Sequence, residues 1–82
     1  MMRKRMFAIK SIYVPVAHRK RLDPKTVRSL AENMLEVGHQ EPILVRAEGE
    51  RFVLVEGLHR LEACKELGDE TIAGYLVQAR KH

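Results

Sequence analysis

The run Val53-Leu54-Val55-Glu56-Gly57-Leu58-His59-Arg60-Leu61-Glu62-Ala63 is the stretch that most constrains the fold. An apolar, β-branched segment passes through one glycine into residues with helical spacing, so a strand hands over directly to a helix. Such a junction gathers the unpaired N–H groups of the first helical turn, and the positive end of the helix dipole, into one small volume. Arg60 adds a guanidinium that can grip two oxygens at once. Gly57, Leu58, His59 and Arg60 therefore form a candidate anion site. The same four residues also fit a plain turn with solvated or capping side chains, because short glycine motifs match by chance.

The rest of the chain reads around that junction. Met6 to Val14 is apolar and β-branched with imperfect alternation, and predicts a strand ended by Pro15. Val16 to Leu22 predicts a basic loop. Asp23 before Pro24 fits an N-cap followed by proline at the first helical position, and Val27, Leu30, Ala31, Met34 and Leu35 recur at helical spacing up to Gly38. After a turn through Gly38-His39-Gln40-Glu41-Pro42, Ile43-Leu44-Val45 predicts a short strand. Glu48-Gly49-Glu50 turns the chain back into Phe52-Val53-Leu54-Val55. Leu58, Leu61, Cys64 and Leu67 give the second helix an apolar stripe that stops at Gly68. Thr71 to Val77 predicts a last strand, loosened by Gly74. The order is β-α-β-β-α-β, an α+β fold with two helices packed on a small mixed sheet. Eighty-two residues make one domain, 1–82, with basic tails expected to be disordered at 1–5 and 78–82.

Composition narrows the chemistry. A formal charge of +4, with Arg19, Lys20 and Arg21 clustered in the basic loop, favours an anionic partner. Few aromatics and no helix-turn-helix pattern speak against base-specific DNA recognition, which leaves a salt-sensitive contact to the DNA backbone through that loop. The single cysteine excludes an internal disulfide framework, and Cys64 reads as a small core residue. His18, His39, His59 and His82 lack i, i+4 pairing, so no protein metal site is expected. Ser11 and Ser29 have no adjacent base, which removes a serine nucleophile. Glu56, beside the glycine, is the one candidate catalytic carboxylate; it fits a salt-bridge partner of Arg60 equally well. No apolar run reaches the roughly 20 residues of a membrane span, so a soluble protein is expected, and the lone cysteine points to a cytoplasmic one.

Three separated blocks together resemble the amino-terminal domain of ParB-type partition proteins, a fold shared with sulfiredoxins. These are Arg19-Lys20-Arg21-Leu22-Asp23, Gly38 to Ile43, and Leu54 to Ala63. In the partition proteins a G-E-R-R or G-E-H-R segment holds the phosphates of a cytidine nucleotide, and Gly57, His59 and Arg60 match it. Leu58 replaces the usual glutamate, Glu62 replaces an arginine, and Glu41 stands next to the proline where glutamine is usual. The resemblance implies a nucleotide ligand, CTP or ATP, with Mg2+ as an accompanying ion. Gly57, Leu58, His59, Arg60, Arg19 and Glu41 are the implied binding residues. In sulfiredoxins the turn reads G-C-H-R with a nucleophilic cysteine; Leu58 occupies that position here, which argues against a sulfinic-acid reductase. Free-serine kinases of the same fold carry an acidic-G-H-H-R segment, partly imitated from Glu56 to Arg60. They also use a glutamate after the first strand, where this chain is basic.

Two expectations from different classes follow. One is a regulatory or partition-related binding module for a nucleotide, with DNA, a protein partner or a second copy nearby. The other is a small nucleotide-dependent kinase or hydrolase using Glu56, and a ligand-less interaction domain is a third, plainer option.

Overall fold

The structure is a computed structural model that describes residues 3–38 and 41–78. Its strands are β1 (Lys4–Ala8), β2 (Ile12–Tyr13), β3 (Ile43–Glu48), β4 (Arg51–Glu56) and β5 (Thr71–Val77). Its helices are α1 (Val16–Arg19), α2 (Pro24–Val37) and α3 (Leu58–Glu66). The strands form one mixed sheet in the order β1-β5-β3-β4-β2. The α+β class, the two main helices and the hairpin agree with the sequence.

Two details differ. The single strand expected over Met6 to Val14 is split: β1 pairs antiparallel with β5 at one edge, and β2 pairs parallel with β4 at the other. A 3-10 turn over Ile9–Ser11 connects them, and the Ile9 N–H donates to the Glu70 carbonyl. Four residue steps reach at most about 14 Å, whereas the edges of a flat five-stranded sheet lie about 19 Å apart. The sheet must therefore curl. The second difference is that Val16–Arg19, expected as loop, forms the one-turn helix α1. The expected basic tail at 1–5 is also shortened, since Lys4 and Arg5 already pair with Tyr75 and Gly74 in β1. Residues 1–2, 39–40 and 79–82 lie outside the described residues.

α2 begins as its sequence dictates. The Asp23 carboxylate accepts from the Lys25 N–H at 3.1 Å and from the Thr26 hydroxyl at 2.7 Å, Pro24 follows it, and at the far end the Gly38 N–H donates to the Met34 carbonyl. Val27, Ala31 and Met34 turn inward and Leu30 packs beside them, while Leu35 lies outside the buried stripe. The Thr26 hydroxyl, and then the Lys25 N–H, hold the Asp23 carboxyl below the usual carboxylate value of 3.8. A depressed folded-state value stabilises the fold above the unfolded value, and that contribution is lost as pH falls through the folded one. The melting temperature should therefore fall more steeply below about pH 4 in the wild type than in Asp23→Asn. Parallel acid limbs in melting scans would remove Asp23 as a cause.

Against the helices lie Ile43 and Val45 of β3, Leu54 of β4, Ile72 of β5 and Phe7 of β1, all buried with Leu58, Leu61, Ala63 and Cys64 of α3. Burial of this apolar surface is the main stabilising term. The β3–β4 turn is held by Glu48, which accepts from Arg46 and Arg51, and the Arg51 guanidinium lies over the Tyr13 ring at 4.2 Å. Gly74 does not simply loosen β5. A Cβ there would stand 3.0 Å from both Cγ1 and the carbonyl oxygen of Ile43, so the missing side chain lets β5 and β3 pack closely.

Candidate functional site

Gly57 joins β4 to α3 with φ +111, a left-handed conformation that favours glycine. Its neighbour leaves it no alternative: a Cβ would lie 2.6 Å from Cγ2 of Ile43. The Gly57 carbonyl accepts the first α3 hydrogen bond, from the Leu61 N–H at 2.9 Å. The helix has no side-chain cap and no acidic residue in its first turn. Its leading N–H groups are thus available to an outside anion. Leu58 is buried, so it offers this turn its backbone and turns its side chain into the protein.

His59 and Arg60 are each held by a different part of the chain. The His59 Nε2 accepts from the backbone N–H of Asp23 at 3.1 Å, joining the start of α3 to the start of α2 across 36 positions. An imidazole that accepts at Nε2 carries its proton on Nδ1, which is then a donor. The Arg60 guanidinium, 21% exposed, faces the Glu41 carboxylate, 75% exposed, at 3.9 Å. The structure therefore brings Glu41 and Arg60 together, as two of the expected binding residues.

Of the expected binding residues, Arg19 shares a cleft with Leu58 and not with Arg60 or Glu41. It lines an open cleft of about 350 Å³ with Tyr13, Leu22, Leu58, Glu62 and Lys65, and its guanidinium lies 6.0 Å from the centre of the Tyr13 ring. Leu58, Glu62 and Lys65 recur at i, i+4, i+7, so one stripe of α3 forms a wall. That spacing is visible in the sequence, but the apolar pattern marks only Leu58 of the three. The His59–Asp23 bond was not readable, because nothing in a sequence pairs residues so far apart.

Glu56 stands apart. A bulge between Leu44 and Val45 sets Glu56 opposite Leu44, on the side of the sheet away from the core residues Ile43 and Val45. Its carboxylate is exposed and makes no ion pair among the described residues, so Arg60 takes Glu41 instead. Cys64 is buried, and its thiol is pushed up to about 11 by burial first and then by the Asp69 carboxylate, against an opposing pull from Arg60. A thiol so placed is a poor nucleophile. Among the described residues no group of three or more His, Cys, Asp or Glu side chains could hold a metal ion, and no helix is long and apolar enough to cross a membrane.

An α+β fold on a curled sheet, with an uncapped glycine–helix junction that carries Arg60 in its first turn, defines a small domain built around an anion-accepting turn. Residues 4–82 match the ParB N-terminal domain, and the chain belongs to that family. A probable chromosome-partitioning protein ParB from Campylobacter jejuni subsp. jejuni serotype O:2 is 34% identical over 62 residues, which are 76% of this chain. The chain spans 22% of that relative's length. Among solved structures, sulfiredoxin from Arabidopsis thaliana superposes with a TM-score of 0.82 at 25% identity, covering 94% of this chain and 86% of that one. The C-terminally truncated ParB of Caulobacter crescentus, complexed with CTP-gamma-S, superposes with a TM-score of 0.75 at 20% identity, covering 96% of this chain and 45% of that one.

Proposed function

We propose that this protein is a cytoplasmic ParB-like module that binds a nucleoside triphosphate, its phosphates held at the Gly57-Leu58-His59-Arg60 turn. The observation that carries the reading is the ion pair from Arg60 to Glu41: the guanidinium at an uncapped helix start already has a carboxylate in front of it, in the place a phosphate oxygen would take. The first-turn N–H groups would donate to the phosphates, the His59 Nδ1–H would add a donor, and Arg19 would approach from the cleft beside Leu58. CTP and ATP are the candidate ligands, and the CTP analogue in the Caulobacter crescentus protein supports the former. A Mg2+ ion accompanying the ligand would supply charge neutralisation and would draw its ligands mainly from phosphate oxygens and water.

The redox chemistry suggested by the sulfiredoxin likeness lacks its nucleophile. Leu58 stands at that position, and the only thiol of the chain is the buried Cys64. The role favoured is regulatory or partition-related. Exposed Arg19, Lys20 and Arg21 at the end of α1 offer a backbone contact to DNA, with a protein partner or a second copy as a further associate.

Calorimetric titration of the four ribonucleoside triphosphates with Mg2+ tests the reading. The wild type should bind at least one, and Arg60→Ala should weaken it by about tenfold to a hundredfold, the worth of charge-assisted hydrogen bonds to phosphate. Absence of binding by the wild type would sink the proposal. Phosphate release that disappears in Glu56→Gln while binding persists would favour the hydrolase or kinase instead.

A further inference from the structure

We infer that Glu41 is a built-in competitor for the phosphate site, a carboxylate that any anionic ligand must displace from Arg60; this rests on the phosphate-turn reading above. The two side chains have opposite settings. Arg60 is largely enclosed and Glu41 is largely exposed, and they meet at 3.9 Å, too long for a formed hydrogen bond. An enclosed guanidinium keeps a counter-charge near it, whereas an exposed carboxylate returns to water at small cost. The pair is thus easily opened from the Glu41 side alone.

Its charge nevertheless opposes a ligand twice. While Glu41 faces Arg60 it neutralises the one side-chain cation held at the start of α3. When phosphate enters, the carboxylate must either leave or remain as a like charge a few ångströms away. The other carboxylates near the junction are placed differently: Glu56 turns to the far side of the sheet with Leu44, and Asp23 is held by the Lys25 N–H and the Thr26 hydroxyl. Glu62, on the same helix as Arg60, is engaged by Lys65 at 3.0 Å, and Glu48 is held by Arg46 and Arg51 at the far end of the hairpin. Glu41 accordingly sets the affinity threshold of the turn, and its effect is on phosphate charge with no part in reading the base.

Inorganic tripolyphosphate and CTP, titrated into wild type, Glu41→Gln and Glu50→Gln, separate the possibilities. Glu50 lies in the hairpin turn at the opposite end of β4 from Gly57, so its variant makes the same change in net charge at a distance. Glu41→Gln should bind both ligands about fivefold to tenfold more tightly than wild type, with the gain shrinking as salt rises, and Glu50→Gln should gain less than about twofold. Unchanged or weaker tripolyphosphate binding by Glu41→Gln, with wild type still binding, would overturn the competitor and leave the phosphate turn standing. A gain for CTP alone would assign Glu41 to the base and also overturn it. If neither ligand binds either protein, the phosphate-turn reading fails and the competitor with it.

Discussion

Gly57→Ala should lower the stability of the domain by about 2–5 kcal/mol, the sum of a strained left-handed backbone and an overpacked neighbour. Both terms have visible causes. φ is +111 at this position, and a new Cβ would stand 2.6 Å from Cγ2 and 3.0 Å from Cβ of Ile43. Ile43 is 1% exposed and packs among buried residues, so it has nowhere to retreat. For a domain of this size such a loss lowers the melting temperature by more than about 10 °C. Urea unfolding followed by circular dichroism measures it, and a loss below about 1 kcal/mol would show that the β4–α3 junction relaxes freely. The site and the fold meet at this residue: the backbone that aims the α3 N–H groups outward is the backbone that must lie flat on β3.

The second large effect belongs to Ile43 itself. It fills the space above two positions without side chains, with Cγ2 toward Gly57 and Cγ1 toward Gly74. Ile43→Ala should therefore cost about 2–5 kcal/mol, since the transfer term and the cavity term both apply. The pair makes a sharper test than either change alone. In Ile43→Ala the methyl that blocks residue 57 is gone, so adding Gly57→Ala should cost about 1–2 kcal/mol less than it does in the wild type. The remainder is the backbone strain together with the 3.0 Å contact to the Cβ of residue 43, which alanine keeps. Strict additivity would mean that the clash is absorbed elsewhere.

Elements carried by local chemistry were legible. α2 could be bounded because Asp23, Pro24 and Gly38 act on their own neighbours, through a carboxylate reaching two or three residues ahead and a stop one residue beyond the helix. The hairpin and the strand–glycine–helix junction were legible for the same reason, and so were the inward Leu58, Leu61 and Cys64 of α3, though not the fully buried Ala63. The first strand was not, because Met6 to Val14 is one apolar run and only pairing partners distant in sequence divide it between the two sheet edges. Val16–Arg19 shows no helix in the sequence because four residues give too little periodicity.

The candidate site divides in the same way. Its core, Gly57 to Arg60, stood out as a local motif, and its likeness to the partition proteins rested on residue identities alone. By itself the sequence determined the α+β class, the glycine at the strand-to-helix junction and the leucine that replaces a nucleophile there, because each depends on a residue and its immediate neighbours. Only the tertiary structure decided that Arg60 faces Glu41 and that Glu56 turns away across a bulge. It also decided that His59 is tied to Asp23 and that Gly57 must be glycine because Ile43 lies against it. These are contacts between elements, fixed when the helices and the curled sheet close over one core and burial selects a single register for each.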